Sequence, residues 1–141
     1  MQSEKVAVAL QLLDKVSKAS DKYRKLLAKQ MYGRKMTSPQ FGVLEILNRL
    51  GTVPLKKISE EMMVTGANIT CVVDNLEKEG FVKRIHSKED RRVVYAELSN
   101  SGKNKLNQIM PEYLEGLVEV TSKLSEDEQN RLINLLEKFN S

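Results

Sequence analysis

The polar chemistry at the centre of the chain sits on Thr65, Asn68, Thr70, Cys71, Asn75 and Lys78. At about 100° per residue, Ala67, Asn68, Cys71, Asp74, Asn75 and Lys78 share one side of a helix, with Thr70 at its edge. The other side carries Ile69, Val72, Val73 and Leu76 at i, i+3, i+4 and i+7, an apolar stripe for a core. Short amide, hydroxyl and thiol groups let a helix backbone come close to base edges. The free N–H groups at a helix start favour phosphate. That is the profile of a helix that enters a DNA major groove. An ordinary solvated helix face has the same composition, so this helix alone leaves both readings open.

A second cluster lies just beyond it. Ser87-Lys-Glu-Asp-Arg-Arg92 is too polar for a core and separates two runs rich in β-branched and aromatic residues, Phe81–His86 and Val93–Leu98. The spacing predicts two strands joined by a charged tip. Lys88 and Arg91 are suited to phosphate. A groove helix followed by a basic β-finger can hold two neighbouring grooves of one duplex, and this position argues against an ordinary solvated loop. Catalytic constellations are scarce by comparison. The single His86 and the single Cys71 fall on different elements. No Gly-rich phosphate loop and no zinc-ligand spacing occurs. Glu60-Glu61 and Glu126-Asp127-Glu128 read as solvated faces or caps. Neither an enzyme, a cofactor nor a metal is expected.

Positioning these groups requires a helix, a tight turn and a second helix. Leu55–Met63 is a short amphipathic helix, and Val64-Thr-Gly-Ala67 is the turn. Gly66 is expected to supply its backbone freedom, and Thr65 to cap the helix that follows. That second helix runs from about Gly66 to Glu79 and stops at Gly80.

At these residues the chain resembles the MarR (multiple antibiotic resistance regulator) family of bacterial transcription factors. The match is Asn68-Ile-Thr-Cys-Val-Val-Asp-Asn-Leu-Glu-Lys-Glu-Gly-Phe-Val-Lys-Arg84, then Asp90-Arg-Arg92, then Leu98-Ser-Asn-Ser-Gly102. The Asp-x-Arg tip followed by a Leu-Ser/Thr-x-x-Gly entry into a long helix is its specific part. The resemblance covers nearly the whole chain and implies a winged helix-turn-helix regulator acting as a homodimer on double-stranded DNA. Repression is the expected mode, with release by a small ligand or by oxidation. In the family pattern Asp90 braces the wing and Arg92 enters the minor groove. Cys71 departs from that pattern, because its groove-facing position is often a larger polar residue.

Composition agrees with a DNA-binding domain without requiring one. The chain has 141 residues, 40% hydrophobic and 30% charged, with a net charge of +4. That length suits one modest core. Residues 1–40 carry a net +6 and residues 81–111 a net +4, while residues 112–141 carry −4. The basic first helix and wing attract phosphate. The longest uncharged run, Met62–Val73, is too short to span a bilayer. The start, Met1-Gln-Ser-Glu-Lys, lacks the build of a signal peptide. A lone cysteine makes no internal disulfide, and a cytoplasmic location is expected.

The flanks read as helices. Val6, Ala9, Leu13, Val16, Ser20, Tyr23 and Leu27 form a heptad-like seam on a helix from residue 4 to about 32. At ~1.5 Å per residue it spans about 40 Å, longer than one small domain needs. Thr37 or Ser38 caps the next helix, with Pro39 in its first turn and Gly51 at its end. Thr52-Val-Pro54 can add a short third strand beside the wing. Asn100 to about Lys123 is a long helix, which Pro111 should bend. Ser125-Glu-Asp-Glu128 is a capping box opening a last helix, whose expected buried face is Leu132, Ile133, Leu135, Leu136 and Phe139.

The fold class is therefore mainly α (α+β), a winged helix-turn-helix over residues 33–99. Residues 1–32 and 100–141 form the helical dimerisation region. Tyr23, Tyr32, Arg34 and Met62 are the candidate pocket for a small aromatic or anionic effector, set against the plainer reading that methionines fill core gaps. Two alternatives stay open: redox sensing through Cys71, and a winged helix that binds protein or RNA.

Overall fold

The structure is a computed structural model describing residues 2–141; Met1, where the signal-peptide reading begins, lies outside the described residues. The first element is helix α1, Gln2–Met31. Its seam residues Val6, Leu13 and Tyr23 stand exposed, while Met31 at its end is buried. Helix α2, Ser38–Leu50, starts at Thr37. The Thr37 hydroxyl accepts from the Gln40 amide at 3.2 Å, and the Gln40 side chain accepts from the Thr37 amide at 2.9 Å. This reciprocal box satisfies two N–H groups that the helix itself leaves open.

Strand β1, Val53–Pro54, leads into helix α3, Leu55–Met62, and helix α4 follows over Gly66–Lys78. Thr65 caps α4 as expected. The turn itself differs from expectation. Gly66 is the first residue of α4, and the left-handed residue is Met63, at φ 56°. The reversal is made one turn earlier, where the α3 C-terminus needs a left-handed residue to end it. Gly80, at φ 82°, closes the far end of α4.

Strands β2, Val82–His86, and β3, Val94–Leu98, form an antiparallel hairpin with Val82 opposite Leu98 and His86 opposite Val94. Strand β1 pairs with β3, so the sheet order is β1-β3-β2 and the short third strand is present. The core beneath it joins Phe41, Val43, Leu44, Ile46 and Leu47 of α2 to Ile58 of α3 and to Ile69, Val73 and Leu76 of α4. Each such side chain contributes about 1.5–3 kcal/mol by leaving water. Val72 of the expected stripe is half-buried.

Helix α5, Asn100–Thr121, begins against the hairpin base. The Ser99 hydroxyl donates to the Gly80 carbonyl and accepts from the Gly102 amide, while the Ser99 amide donates to the Phe81 carbonyl. A Cβ at Gly102 would run into the Phe81 carbonyl oxygen, so only glycine permits this approach. Lys105 of α5 donates from Nζ to the Arg34 carbonyl at 2.9 Å, tying α5 to the segment after α1.

The chain divides into compact units between Ile109 and Met110, beside Pro111. The second unit holds the end of α5 and helix α6, Glu126–Asn140. Ser125 and Glu128 form the expected capping box. The expectation of a buried face on α6 fails in the single chain. No α6 residue is buried, and Leu132, Ile133, Leu135 and Phe139 are exposed. Periodicity identifies an apolar face but not what covers it.

Candidate nucleic-acid interface

Helix α4 presents its polar side to solvent. Thr65, Ala67, Asn68, Thr70, Cys71, Asn75 and Lys78 are all exposed, whereas Ile69, Val73 and Leu76 are sealed in the core. The Thr65 hydroxyl accepts from the Asn68 amide at 3.2 Å. That leaves its own O–H free to donate outward. The Thr70 hydroxyl donates to the Gly66 carbonyl at 2.9 Å, so Thr70 offers outward only a lone pair and a methyl group.

One edge of α4 is not free. Arg84 of β2 reaches across it: Nη1 lies 2.5 Å from Asp74 Oδ1 and 3.7 Å from Glu77 Oε1, and Nη2 donates to the Thr70 carbonyl at 3.2 Å. The Arg84 backbone amide donates to Glu77 Oε2 at 3.3 Å. The Arg84 side chain is only 20% exposed. Asp74, which the helical angle places on the outward side, is therefore held against the wing. Sequence reasoning missed this residue, although a signal existed. Period-two alternation puts Arg84 on the same side of β2 as buried Val82. A cation aimed inward needs acidic partners, and Asp74 and Glu77 lie i, i+3 on the adjacent helix.

The wing tip is stiffened by its own side chains. Ser87 Oγ accepts from the amides of Glu89 and Asp90 at 3.2 and 3.1 Å. Asp90 Oδ1 accepts from the Arg92 amide at 3.0 Å and from Arg92 Nε at 3.2 Å, and Oδ2 accepts from Nη2 at 3.2 Å. The Arg92 side-chain fork, then its backbone amide, holds the Asp90 carboxyl below its ordinary value of 3.8. The Arg92 side chain is nevertheless 91% exposed. It is oriented without being buried, as a group awaiting a partner would be. Lys88 and Arg91 are exposed on the same loop.

Thr70 and Arg92 also border an open cleft of about 800 Å³ between α3, the start of α4 and the wing base, with Lys56, Ser59 and Val94 on its walls. The residues expected to take an effector, Tyr23, Tyr32, Arg34 and Met62, do not line this cleft. Tyr32 is 90% exposed. Arg34 Nε donates to the Gln30 carbonyl at 2.7 Å. Met62 lies close to Gly42, where a Cβ would stand 3.0 Å from the Met62 methyl. Tyr23 is exposed on α1. Among the described residues no group of three His, Cys, Asp or Glu could hold a metal ion, and no helix is long and apolar enough to cross a membrane.

Comparison with known proteins places this geometry. A family model described as the MarR family matches residues 36–94. The HTH-type transcriptional regulator MhqR of Bacillus subtilis (strain 168) is 31% identical over 130 residues, 92% of this chain and 90% of that protein. An uncharacterised HTH-type transcriptional regulator of the same organism, YkoM, is 38% identical over 99 residues, 70% of this chain. The matched stretch is 64% of YkoM, less than two thirds of its length. Among solved structures, a mutant MarR from E. coli complexed with operator DNA superposes with a TM-score of 0.83 at 23% identity, covering 93% of this chain and 94% of that one.

Proposed function

The chain belongs to the MarR family, and from that premise we propose that it acts in the cytoplasm as a homodimeric repressor on an inverted-repeat operator, released by a small effector. It is a winged helix-turn-helix, DNA-binding transcription regulator. One observation carries the finer reading: a small, polar, exposed face on α4 stands beside a wing whose Arg92 is braced by Asp90 yet open to solvent. Helix α4 enters the major groove, with Thr65 and Lys78 on phosphate. Arg92 enters the minor groove, with Lys88 and Arg91 on the flanking backbone. A protein-docking winged helix would instead present large apolar residues on α4.

The dimer reading rests on the apolar residues that α1 and α6 each leave exposed, Val6, Leu10 and Leu13 on the one and Leu132, Leu135 and Phe139 on the other. Residues 1–32 and 100–141 supply that interface, and residues 33–99 read the DNA. Two recognition helices related by a two-fold axis stand about 34–36 Å apart, so the half-site centres lie about 10 base pairs apart. The effector, a small aromatic or anionic molecule, is assigned to the region of Tyr23, Tyr32, Arg34 and Met62.

The test is selection of bound fragments from genomic DNA, followed by footprinting and sedimentation of the complex. A symmetric footprint protected by two protomers is expected. Protection of one asymmetric half-site by a monomer would refute the dimeric operator, and absence of any protected DNA would refute the function.

A further inference from the structure

We infer that the recognition helix reads A·T pairs, through a strip formed by Asn68, Cys71 and Asn75. The inference rests on the reading of α4 as the major-groove helix and adds which bases it selects. Residues 68, 71 and 75 recur at i, i+3 and i+7, so they align along one edge of α4. The opposite edge is occupied. Asp74 and Glu77 pair with Arg84, and the Thr70 carbonyl accepts from it. The wing thus holds one side of the helix and leaves the Asn68–Cys71–Asn75 side open.

The donor and acceptor count on that open side decides the base. Guanine shows two acceptors in the major groove and is read by paired donors, usually a guanidinium or an ammonium. From Gly66 to Glu77 helix α4 has no Arg or Lys; its only cation, Lys78, is the last residue. Adenine shows a donor beside an acceptor, and a carboxamide matches both at once. Asn68 and Asn75 are exposed, and neither carboxamide has a hydrogen bond among the described residues. Cys71 between them is exposed, small and weakly polar, suited to the methyl of thymine. Thr70 cannot donate outward, because its hydroxyl proton is held by the Gly66 carbonyl.

The spacing sets a register. Seven residues of helix span about 10 Å, close to three base-pair steps at about 3.4 Å each. Each half-site should therefore hold two adenines two or three steps apart, with A·T pairs between them.

Selection from a randomised duplex library by the full-length protein tests this, with sequencing of the bound pool. The wild type should enrich adenine at both positions, each favoured over other bases by roughly 5- to 150-fold. Asn68→Ala should flatten one adenine and Asn75→Ala the other. Cys71→Arg should gain a guanine between them. Circular dichroism matched to wild type shows that each variant is folded, since all three side chains are exposed. Guanine at these positions in the wild-type pool would overturn the inference. So would unchanged preferences in a folded Asn68→Ala and Asn75→Ala pair. If the wild type enriched no duplex, the DNA-binding reading itself would fall and take the inference with it.

Discussion

Arg84→Met should separate a residue that positions the recognition helix from one that touches DNA. Methionine keeps the apolar stem and removes the cation. Exposed ion pairs contribute about 0.2–1 kcal/mol, whereas stripping one partner from a fully buried pair costs about 3–5 kcal/mol. The Arg84 cluster lies between these limits. Its side chain is 20% exposed, but those of Asp74 and Glu77 are 44% and 43% exposed and stay hydrated when orphaned. Arg84 Nε is also buried without a partner, a cost that methionine does not carry. The expected net loss is about 1–2 kcal/mol. It should appear in urea unfolding as a lower midpoint at unchanged slope, measured at one protein concentration so that mass action is held fixed. Asp74→Asn should cost a similar amount, and the double variant less than the sum of the two. Operator affinity should fall while the salt dependence of binding keeps its slope, because Arg84 faces α4 and not phosphate. A fully stable Arg84→Met protein whose salt slope dropped by about one unit would mean that Arg84 is a phosphate contact, and the positioning role would be wrong.

Other perturbations reach the site from different directions. Arg92→Ala should weaken operator binding by about 1–3 kcal/mol with little change in thermal stability, since its ion pair with Asp90 is a solvent-exposed one; a titration beside a melting curve checks both. Lys88→Ala should weaken all duplexes alike and lower the salt slope by about one unit, read from affinities at several ionic strengths. Gly102→Ala should cost about 1–3 kcal/mol in urea unfolding, because the obstructing atom is the Phe81 backbone oxygen and cannot swing aside. Bulky alkylation of the exposed Cys71 thiol should release the operator while Cys71→Ser stays bound under the same treatment; retention by fully alkylated wild type in a gel shift would refute the groove-facing placement.

Asp90 ties the wing to pH with a definite sign. Its folded pKa is lowered by the Arg92 side chain and then by the Arg92 amide. A lowered carboxyl contributes order that is fully present above the unfolded pKa and is lost as pH falls through the folded one. The brace should therefore hold from neutral pH down through 3.8, its ordinary value, and loosen only in stronger acid. Asp90→Asn keeps the shape but weakens the charge-assisted fork. If Asp90→Asn bound operator as tightly as wild type at neutral pH, the brace would have no part in binding.

What could be read from residues alone divides along physical lines. Caps and breakers act within a few residues of themselves, so Thr65, Ser125 with Glu128, Gly51 and Gly80 mark their elements where local chemistry requires, and the structure chooses Thr37 over Ser38 as the α2 cap and adds Gln40 as its partner. The α4 face follows from helical periodicity, and the candidate DNA-facing residues on α4 are exposed as that periodicity expects. Two features escaped, for different reasons. One is the Arg84 cluster, where a strand residue removes Asp74 from the reading face. The other is the reversal at Met63, which no local preference announces because methionine is a poor left-handed residue. The terminal helices present the inverse case. The apolar residues of α1 and α6 are plain in the pattern, yet a pattern specifies only that an apolar surface exists. Those residues are exposed in the single chain. The proposed two-fold partner would cover those faces with the same residues and no further sequence, and would set the spacing at which two copies of α4 meet the operator.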